Sequence, residues 1–177
     1  PEYYESYKKL PIIIQKIDYF RYIAVYHYGG FYMDLDMRGM HSLDELLDYD
    51  CIFPVDQNIH EGMCHRTRFK NYCENGMDFM LGQYAFGAKP KNDFIKKLID
   101  TIHHNIDFYI SEYNKVKEDE AYFRANKNHY VYCTTGPDFV TDVYMSYENK
   151  KDIHILEYPM GQYFGKYAKH NYYGTWK

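Results

Sequence analysis

The run from Gln15 to Asp36 constrains this chain more than any other stretch. Between Gln15 and Tyr28 the apolar positions Ile17, Phe20, Ala24 and Tyr28 recur at threes and fours, which predicts an amphipathic helix with those residues on its packed face. Gly29-Gly30 stops it, because glycine takes the left-handed conformation of a helix C-cap at least cost. In the next six residues Phe31, Met33 and Leu35 alternate with Tyr32, Asp34 and Asp36. The period has changed from 3.6 to 2, so a strand follows, with two carboxylates at its downstream end. Helix, stop and strand in this order belong to an α/β fold, and open α/β sheets place ligands at that end of their strands.

The rest of the chain fits the same class. Tyr3, Tyr7 and Leu10 predict a short helix before Pro11, Ser42 caps one over Leu43 to Leu47, and Cys51 to Val55 reads as a strand. Asn58 to Gly76 reads as a long loop of the kind that is more often functional than idle. Phe79 to Ala88 predicts a strand running into Pro90, and Asn92 caps a helix carrying Ile95, Leu98, Ile99 and Ile102. Glu112 to Asn128 reads as polar helix or loop, Tyr130 to Cys133 as a short strand, Thr135-Gly136-Pro137 as the start of a helix to about Tyr147, and Ile153 to Leu156 as a last strand. From Gly161 to Lys177 the chain is aromatic and glycine-rich without a period, which suggests a lid. No repeat or Pro/Gly/Ser linker divides residues 1–177, so they are expected to form one domain.

Charge excludes some functions. The net charge is −4 and no block of lysine or arginine forms, which argues against nucleic-acid binding. No apolar run approaches the length of a membrane span, and the first residues lack the apolar core of a signal peptide. Cys51, Cys64, Cys73 and Cys133 contain no C-x-x-C pair, and the spacing predicts scattered reduced thiols rather than a zinc ribbon or a disulfide scaffold. Tyrosine is abundant, 23 residues against one tryptophan, and such rings suit contact with sugars.

Asp34 and Asp36, two apart on a strand, project from one face. Carboxylates that converge repel one another, and a divalent cation removes the repulsion. Hard oxygen ligands completed by phosphate oxygens describe Mg²⁺ or Mn²⁺ on a diphosphate substrate. Asp18 and Arg21, three apart on the preceding helix, share a face, and a charged pair on a packed face invites a polar ligand.

The run Asp18-Tyr-Phe-Arg21-Tyr-Ile-Ala-Val-Tyr-His-Tyr-Gly29-Gly30-Phe-Tyr-Met-Asp34-Leu-Asp36 resembles the signature of glycosyltransferases with a DXD sugar-binding region, glycosyltransferase family 32. That family includes fungal mannosyltransferases, and the clostridial glucosylating toxins carry a related pattern. Gly82 to Pro90, Thr135-Gly136-Pro137 and the ending His170-Asn-Tyr-Tyr-Gly-Thr175-Trp176 resemble further family segments in the right order. Gln83 stands where the family commonly has asparagine, and Thr175 where it has serine.

The resemblance implies a GT-A-like fold, a Rossmann-like mixed sheet flanked by helices. It also implies a metal-dependent, retaining transfer of a hexose from a nucleotide-diphosphate sugar (UDP- or GDP-hexose) to a glycan, lipid or protein hydroxyl. Carried over residue by residue, Asp36 and His170 would bind Mn²⁺ or Mg²⁺, and Asp34 would hold ribose or sugar hydroxyls. Asp18 and Arg21 would grip the donor sugar, with Gly30 beside the donor and Thr175 and Trp176 near the diphosphate. Asp34, Asp36 and Arg21 are the candidate catalytic residues. The family's opening strand has no counterpart here and the chain begins without Met, so it is expected to be a segment of a longer protein. A cytoplasmic or membrane-surface location is expected, or the Golgi lumen if an anchor precedes it.

Two rivals remain. A haloacid-dehalogenase-type phosphatase also ends a strand in D-x-D, but its motif continues into Gly-Thr or Gly-Val, where Met37-Arg38 stands here. A non-catalytic carbohydrate-binding protein suits the tyrosines, yet would not need an acid pair backed by Asp18 and Arg21. Metal-dependent turnover of a nucleotide sugar separates both from a transferase.

Overall fold

The computed structural model describes residues 2–157 and 163–171. Helices α1 (Tyr4–Lys9) and α2 (Ile13–Tyr28) lead into β1 (Gly30–Met33) and β2 (Met37–Gly39). Then come β3 (Cys51–Asn58), α3 (Thr67–Glu74), β4 (Phe79–Leu81) and β5 (Ala85–Ala88). Helices α4 (Asp93–Lys117), α5 (Glu120–Thr134) and α6 (Pro137–Ser146) precede β6 (His154–Leu156), β7 (Tyr163–Phe164) and β8 (Ala168–His170). The main sheet runs β1-β5-β3-β4 with antiparallel pairing, and β6 joins β3 in parallel. This is the mixed sheet expected of the α/β class. A second sheet, β2-β8-β7, is antiparallel throughout.

Strand β3 separates two cores. Cys51 and Phe53 point toward the helices, where Tyr19, Tyr22 and Val25 of α2, Phe94, Leu98 and Ile102 of α4, and Phe139, Val140 and Val143 of α6 bury their side chains. Each such burial contributes roughly 1.5–3 kcal/mol against the unfolded chain. Ile52 points the other way and packs with Leu46, Tyr84, Ala85, Phe164, Tyr167 and Ala168 beneath the small sheet. The site described below lies where these two layers meet.

Local signals set several elements. Gly29 caps α2 at φ +68°, donating to the Val25 carbonyl, and a Cβ there would lie 2.6 Å from Pro90 Cδ, so both conformation and space demand glycine. Asn92 accepts from the backbone amides of Phe94 and Ile95 and starts α4, whose buried face extends the expected Ile95, Leu98, Ile99, Ile102 to Ile106 and Tyr109. Pro137 opens α6.

Six expectations are corrected. The packed face of α2 is Gln15, Asp18, Tyr19, Arg21, Tyr22 and Val25, while Ile17, Phe20 and Tyr28 are exposed. The polar members face inward because they find partners there. Residues 58–76 are not one loop, because α3 forms within them and a disulfide joins Cys64 to Cys73, so the thiols are not all reduced. Tyr130 to Cys133 is the end of helix α5, which Asp119 caps by accepting from the Tyr122 amide. The strand expected over Phe79 to Ala88 is two, broken at Gly82-Gln83-Tyr84, where a Cβ on Gly82 would meet the Tyr84 ring at 2.6 Å. Finally, β1 ends at Met33, and Asp34 to Asp36 form the turn into β2.

Candidate functional site

The turn after β1 keeps the two acids together although they are not on a strand. The Asp34 amide donates to the Tyr84 carbonyl at 2.8 Å, and the Met37 amide returns to the Asp34 carbonyl at 3.0 Å. Leu35 is pushed fully into solvent at the tip. Met37 pairs with His170 across β2 and β8, which sets the imidazole beside Asp36, with Nε2 2.9 Å from Asp36 Oδ1. Ligand atoms of Asp34, Asp36 and His170 all lie within 4.8 Å of one another. Tyr84 stacks on the imidazole with centroids 5.0 Å apart and 9° between planes, fixing its orientation.

Beneath Asp34 sits the charged pair of α2. Arg21 Nη2 is 2.9 Å from Asp18 Oδ1, while Nη1 is 3.3 Å from Asp34 Oδ1 and donates to the Gln83 carbonyl at 3.1 Å. The guanidinium lies 4.4 Å from the centroid of the Tyr32 ring, whose hydroxyl donates to Asp34 Oδ1 at 2.6 Å. Thr135 donates to Asp18 Oδ2 at 2.7 Å, and the Tyr22 hydroxyl lies between Gln83 Oε1 and the Thr135 carbonyl. Burial drives the Asp18 carboxyl upward, opposed by Arg21 and by the bonds from Thr135 and Gln83. Burial also works against the Arg21 charge, but Asp18 and Asp34 outweigh it and hold the guanidinium protonated. The Asp18 and Arg21 side chains are 1% and 4% exposed against 29% for Asp34, so their reach to a ligand runs past Asp34.

The donor set fits a divalent cation. Asp18 is matched by Arg21 below, and Asp34 and Asp36 bring two further carboxylates together at the rim. Carboxylate oxygens with one imidazole nitrogen suit a metal between hard and borderline.

Of the residues anticipated from sequence, Asp18, Arg21, Asp34, Asp36 and His170 converge. Gly30 does not join them: it pairs with Ala88 at the far end of β1, about 13 Å away along the strand at roughly 3.3 Å per residue. There it lines a hollow with Leu47, Tyr49 and Pro90. Thr175 and Trp176 lie outside the described residues. Gln83 and Thr135, singled out only as parts of motifs, bind the Asp18, Arg21 and Tyr22 network from two other segments.

Sequence reasoning missed a neighbouring group. Asp56 ends the apolar run of β3, and burial raises its carboxyl to about 6, with Arg68 pulling down, Asp138 up and His170 down. Arg68 of α3 grips Asp138 of α6 through Nε and Nη2 at 2.8 and 2.7 Å, and its guanidinium lies 5.4 Å from the Tyr132 ring centroid. The signal was available, since an acid closing an apolar strand run is what marked Asp34.

Residues 1–53 match the family model described as the glycosyltransferase sugar-binding region containing a DXD motif. The HOC1 protein of Saccharomyces cerevisiae is 24% identical over 152 residues, 84% of this chain and 36% of that protein. The initiation-specific alpha-1,6-mannosyltransferase of Candida albicans is 24% identical over 165 residues, 90% of this chain and 40% of the relative. Inositol phosphoceramide mannosyltransferase 2 of Schizosaccharomyces pombe is 45% identical over 47 residues, 27% of this chain and 13% of the relative. The chain thus spans about two fifths or less of the length of these proteins. No solved structure gives a significant match.

Proposed function

We propose that this chain, whose residues 1–53 match the glycosyltransferase sugar-binding region containing a DXD motif, transfers a hexose from a nucleotide-diphosphate sugar to a hydroxyl acceptor with a divalent metal. The observation that carries the reading is the meeting of Asp34, Asp36 and His170 over the buried Asp18–Arg21 pair. A strand-end acid pair alone would suit several chemistries. An acid pair braced by a guanidinium and closed by an imidazole from another sheet suits a cation and a polyhydroxylated phosphate ester.

Asp36 and His170 would hold the metal, Mn²⁺ or Mg²⁺. When bound, it neutralises the charge that builds on a leaving diphosphate. Asp34, held on one oxygen by Tyr32 and Arg21, keeps its other oxygen for a ribose or sugar hydroxyl. Asp18 and Arg21 form the wall behind it and fix its angle, and any bond they make to the donor sugar adds to that positioning. The reading includes retention of configuration, with the acceptor approaching from the leaving-group face. A mannosyl donor is favoured by the names of two of the relatives, and their acceptors are the model for this chain's. The Cys64–Cys73 disulfide favours an oxidising compartment over the cytoplasm.

The test is Mn²⁺-dependent turnover of a panel of UDP- and GDP-hexoses by the full-length protein. Release of nucleoside diphosphate that stops on chelation is the expected result. Phosphate release from a simple ester without nucleotide-sugar turnover would replace this reading with a phosphatase, and sugar binding without turnover would replace it with a binding module.

A further inference from the structure

Asp56 occupies an irregular place in the main sheet. Val55 pairs with Leu81 and Gln57 with Met80, so Asp56 is the extra residue of a bulge between them. A bulge bends its strand and re-aims a side chain, and such kinks recur beside active sites. Four residues upstream on the same strand, Ile52 packs beneath the small sheet that bears His170. Tyr84 ties the two places together: its hydroxyl lies 3.4 Å from the Val55 carbonyl, and its ring stacks on the His170 imidazole.

The carboxylate is partly buried and makes no hydrogen bond among the described residues. Arg68, whose charge acts on it, is already committed to both oxygens of Asp138. A sheltered carboxylate without a donor is costly, and a protein that keeps one beside a reaction centre leaves room for a donor from outside. Between Asp56 and the metal ligands the fitting donor is a hydroxyl.

We propose that Asp56 binds the acceptor hydroxyl, with the Arg68–Asp138 pair and Tyr132 as the adjoining wall of an acceptor subsite. This rests on the glycosyl-transfer reading above. As the hydroxyl oxygen bonds to the anomeric carbon, the bond from that carbon to the diphosphate oxygen breaks and its electron pair leaves with the diphosphate. The hydroxyl proton passes to the Asp56 carboxylate and from there to solvent. Asp56 therefore serves the acceptor, whereas Asp34, Asp36 and His170 serve the donor.

The experiment uses the full-length protein, GDP-mannose or whichever nucleotide sugar the wild type turns over, and a panel of methyl hexopyranosides as acceptors. For Asp56→Asn, transfer should fall at least about tenfold, while the Kd for the nucleoside diphosphate with Mn²⁺ stays within about twofold and the melting temperature does not drop. Transfer within twofold of wild type overturns the inference. So does parallel loss of nucleoside diphosphate affinity, which would assign Asp56 to the donor side, or a lowered melting temperature, which would make it structural. A wild type that turns over a nucleotide sugar and glycosylates no hydroxyl acceptor overturns it while leaving the metal site standing. A wild type that neither binds nor turns over any nucleotide sugar overturns the glycosyltransferase reading itself, and the inference with it.

Discussion

Arg21→Lys is the sharpest test of the charged pair beneath Asp34. The guanidinium reaches Asp18 at 2.9 Å, Asp34 at 3.3 Å and the Gln83 carbonyl at 3.1 Å, and lies over the Tyr32 ring. A lysine ammonium keeps the charge, so no carboxylate is orphaned, but a single nitrogen on a narrower stem cannot span three acceptors. Loss of two contacts made by a charged group costs roughly 1.5–3 kcal/mol each. Against that, Arg21 Nε is buried without an acceptor, and lysine removes this orphan donor for a gain of about 1 kcal/mol. The net loss is about 2–5 kcal/mol, which for a chain of this size lowers Tm by roughly 4–20 °C. Thermal unfolding followed by circular dichroism in EDTA measures this without a metal contribution. Asp34 also loses one of the two groups that hold it, so Mn²⁺ affinity, titrated separately, should fall about tenfold, or roughly 1.4 kcal/mol. A variant melting within about 2 °C of wild type with unchanged Mn²⁺ affinity would show that the pair is worth no more than a surface ion pair, and the argument for a braced Asp34 would fail.

Asp36→Asn should abolish Mn²⁺ binding while leaving Tm in EDTA nearly unchanged, because it removes a ligand charge at a turn and opens no core cavity; retained Mn²⁺-induced stabilisation would remove Asp36 from the metal site. Cys64→Ser should cost about 2–3 kcal/mol, the loop-closure entropy for a bridge of sequence separation 9, and reductant should lower the wild-type Tm by a similar amount; a Tm indifferent to reductant refutes the bridge. Asp56→Asn carries a pH signature. The folded carboxyl stands at about 6 against an ordinary 3.8, so ionising it penalises the fold, a penalty absent below 3.8, growing as pH rises to about 6 and complete above. In EDTA the variant should therefore match wild type at about pH 3.5 and exceed it by about 1–3 kcal/mol at pH 7, and a difference flat across that range contradicts the assignment.

The outline of the fold was legible where local chemistry decides the outcome. Gly29-Gly30 ended α2 because nothing with a Cβ fits against Pro90, and Asn92 and Pro137 opened helices through groups that act within one turn. Tertiary choices were not legible. Apolar spacing put Ile17, Phe20 and Tyr28 on the packed face of α2, yet the fold buries Asp18 and Arg21, whose charges are met by Thr135, Gln83 and Asp34 from three other segments. Polarity scores against burial until the partners are known, and they lie far along the chain. The same holds for Tyr130 to Cys133, whose β-prone residues end a helix because Tyr130 and Val131 pack with Ile12, Tyr113 and Phe123. The Cys64–Cys73 bridge needs Cα atoms 5.8 Å apart, which α3 supplies and spacing alone does not reveal. Within the site the motif acids were legible as types and their roles only as a resemblance. Asp56 closes an apolar run as Asp34 does, but nothing local reveals its neighbours Arg68 and Asp138, which come from helices α3 and α6.

The geometry also gives a reason for two acids rather than one. Tyr32 and Arg21 both address Asp34 Oδ1, so this carboxylate is held by α2 and its own strand before any ligand arrives. Asp36 is held differently, through His170 and the amide of Asn171, which donates to the Asp36 carbonyl at 3.0 Å; both come from the chain at the end of β8. One acid is thus fixed by the helical layer and the other by the small sheet, so a cation held by Asp36 and His170 beside Asp34 would draw charge balance from both layers at once. Its binding would be coupled to the docking of β2-β8-β7 on the main sheet, because without β8 the imidazole and the Asn171 amide are lost together. A single acid in either layer would bind a cation without joining the layers. With the pair, metal binding would report that the floor of the site and its wall from the small sheet are both in place.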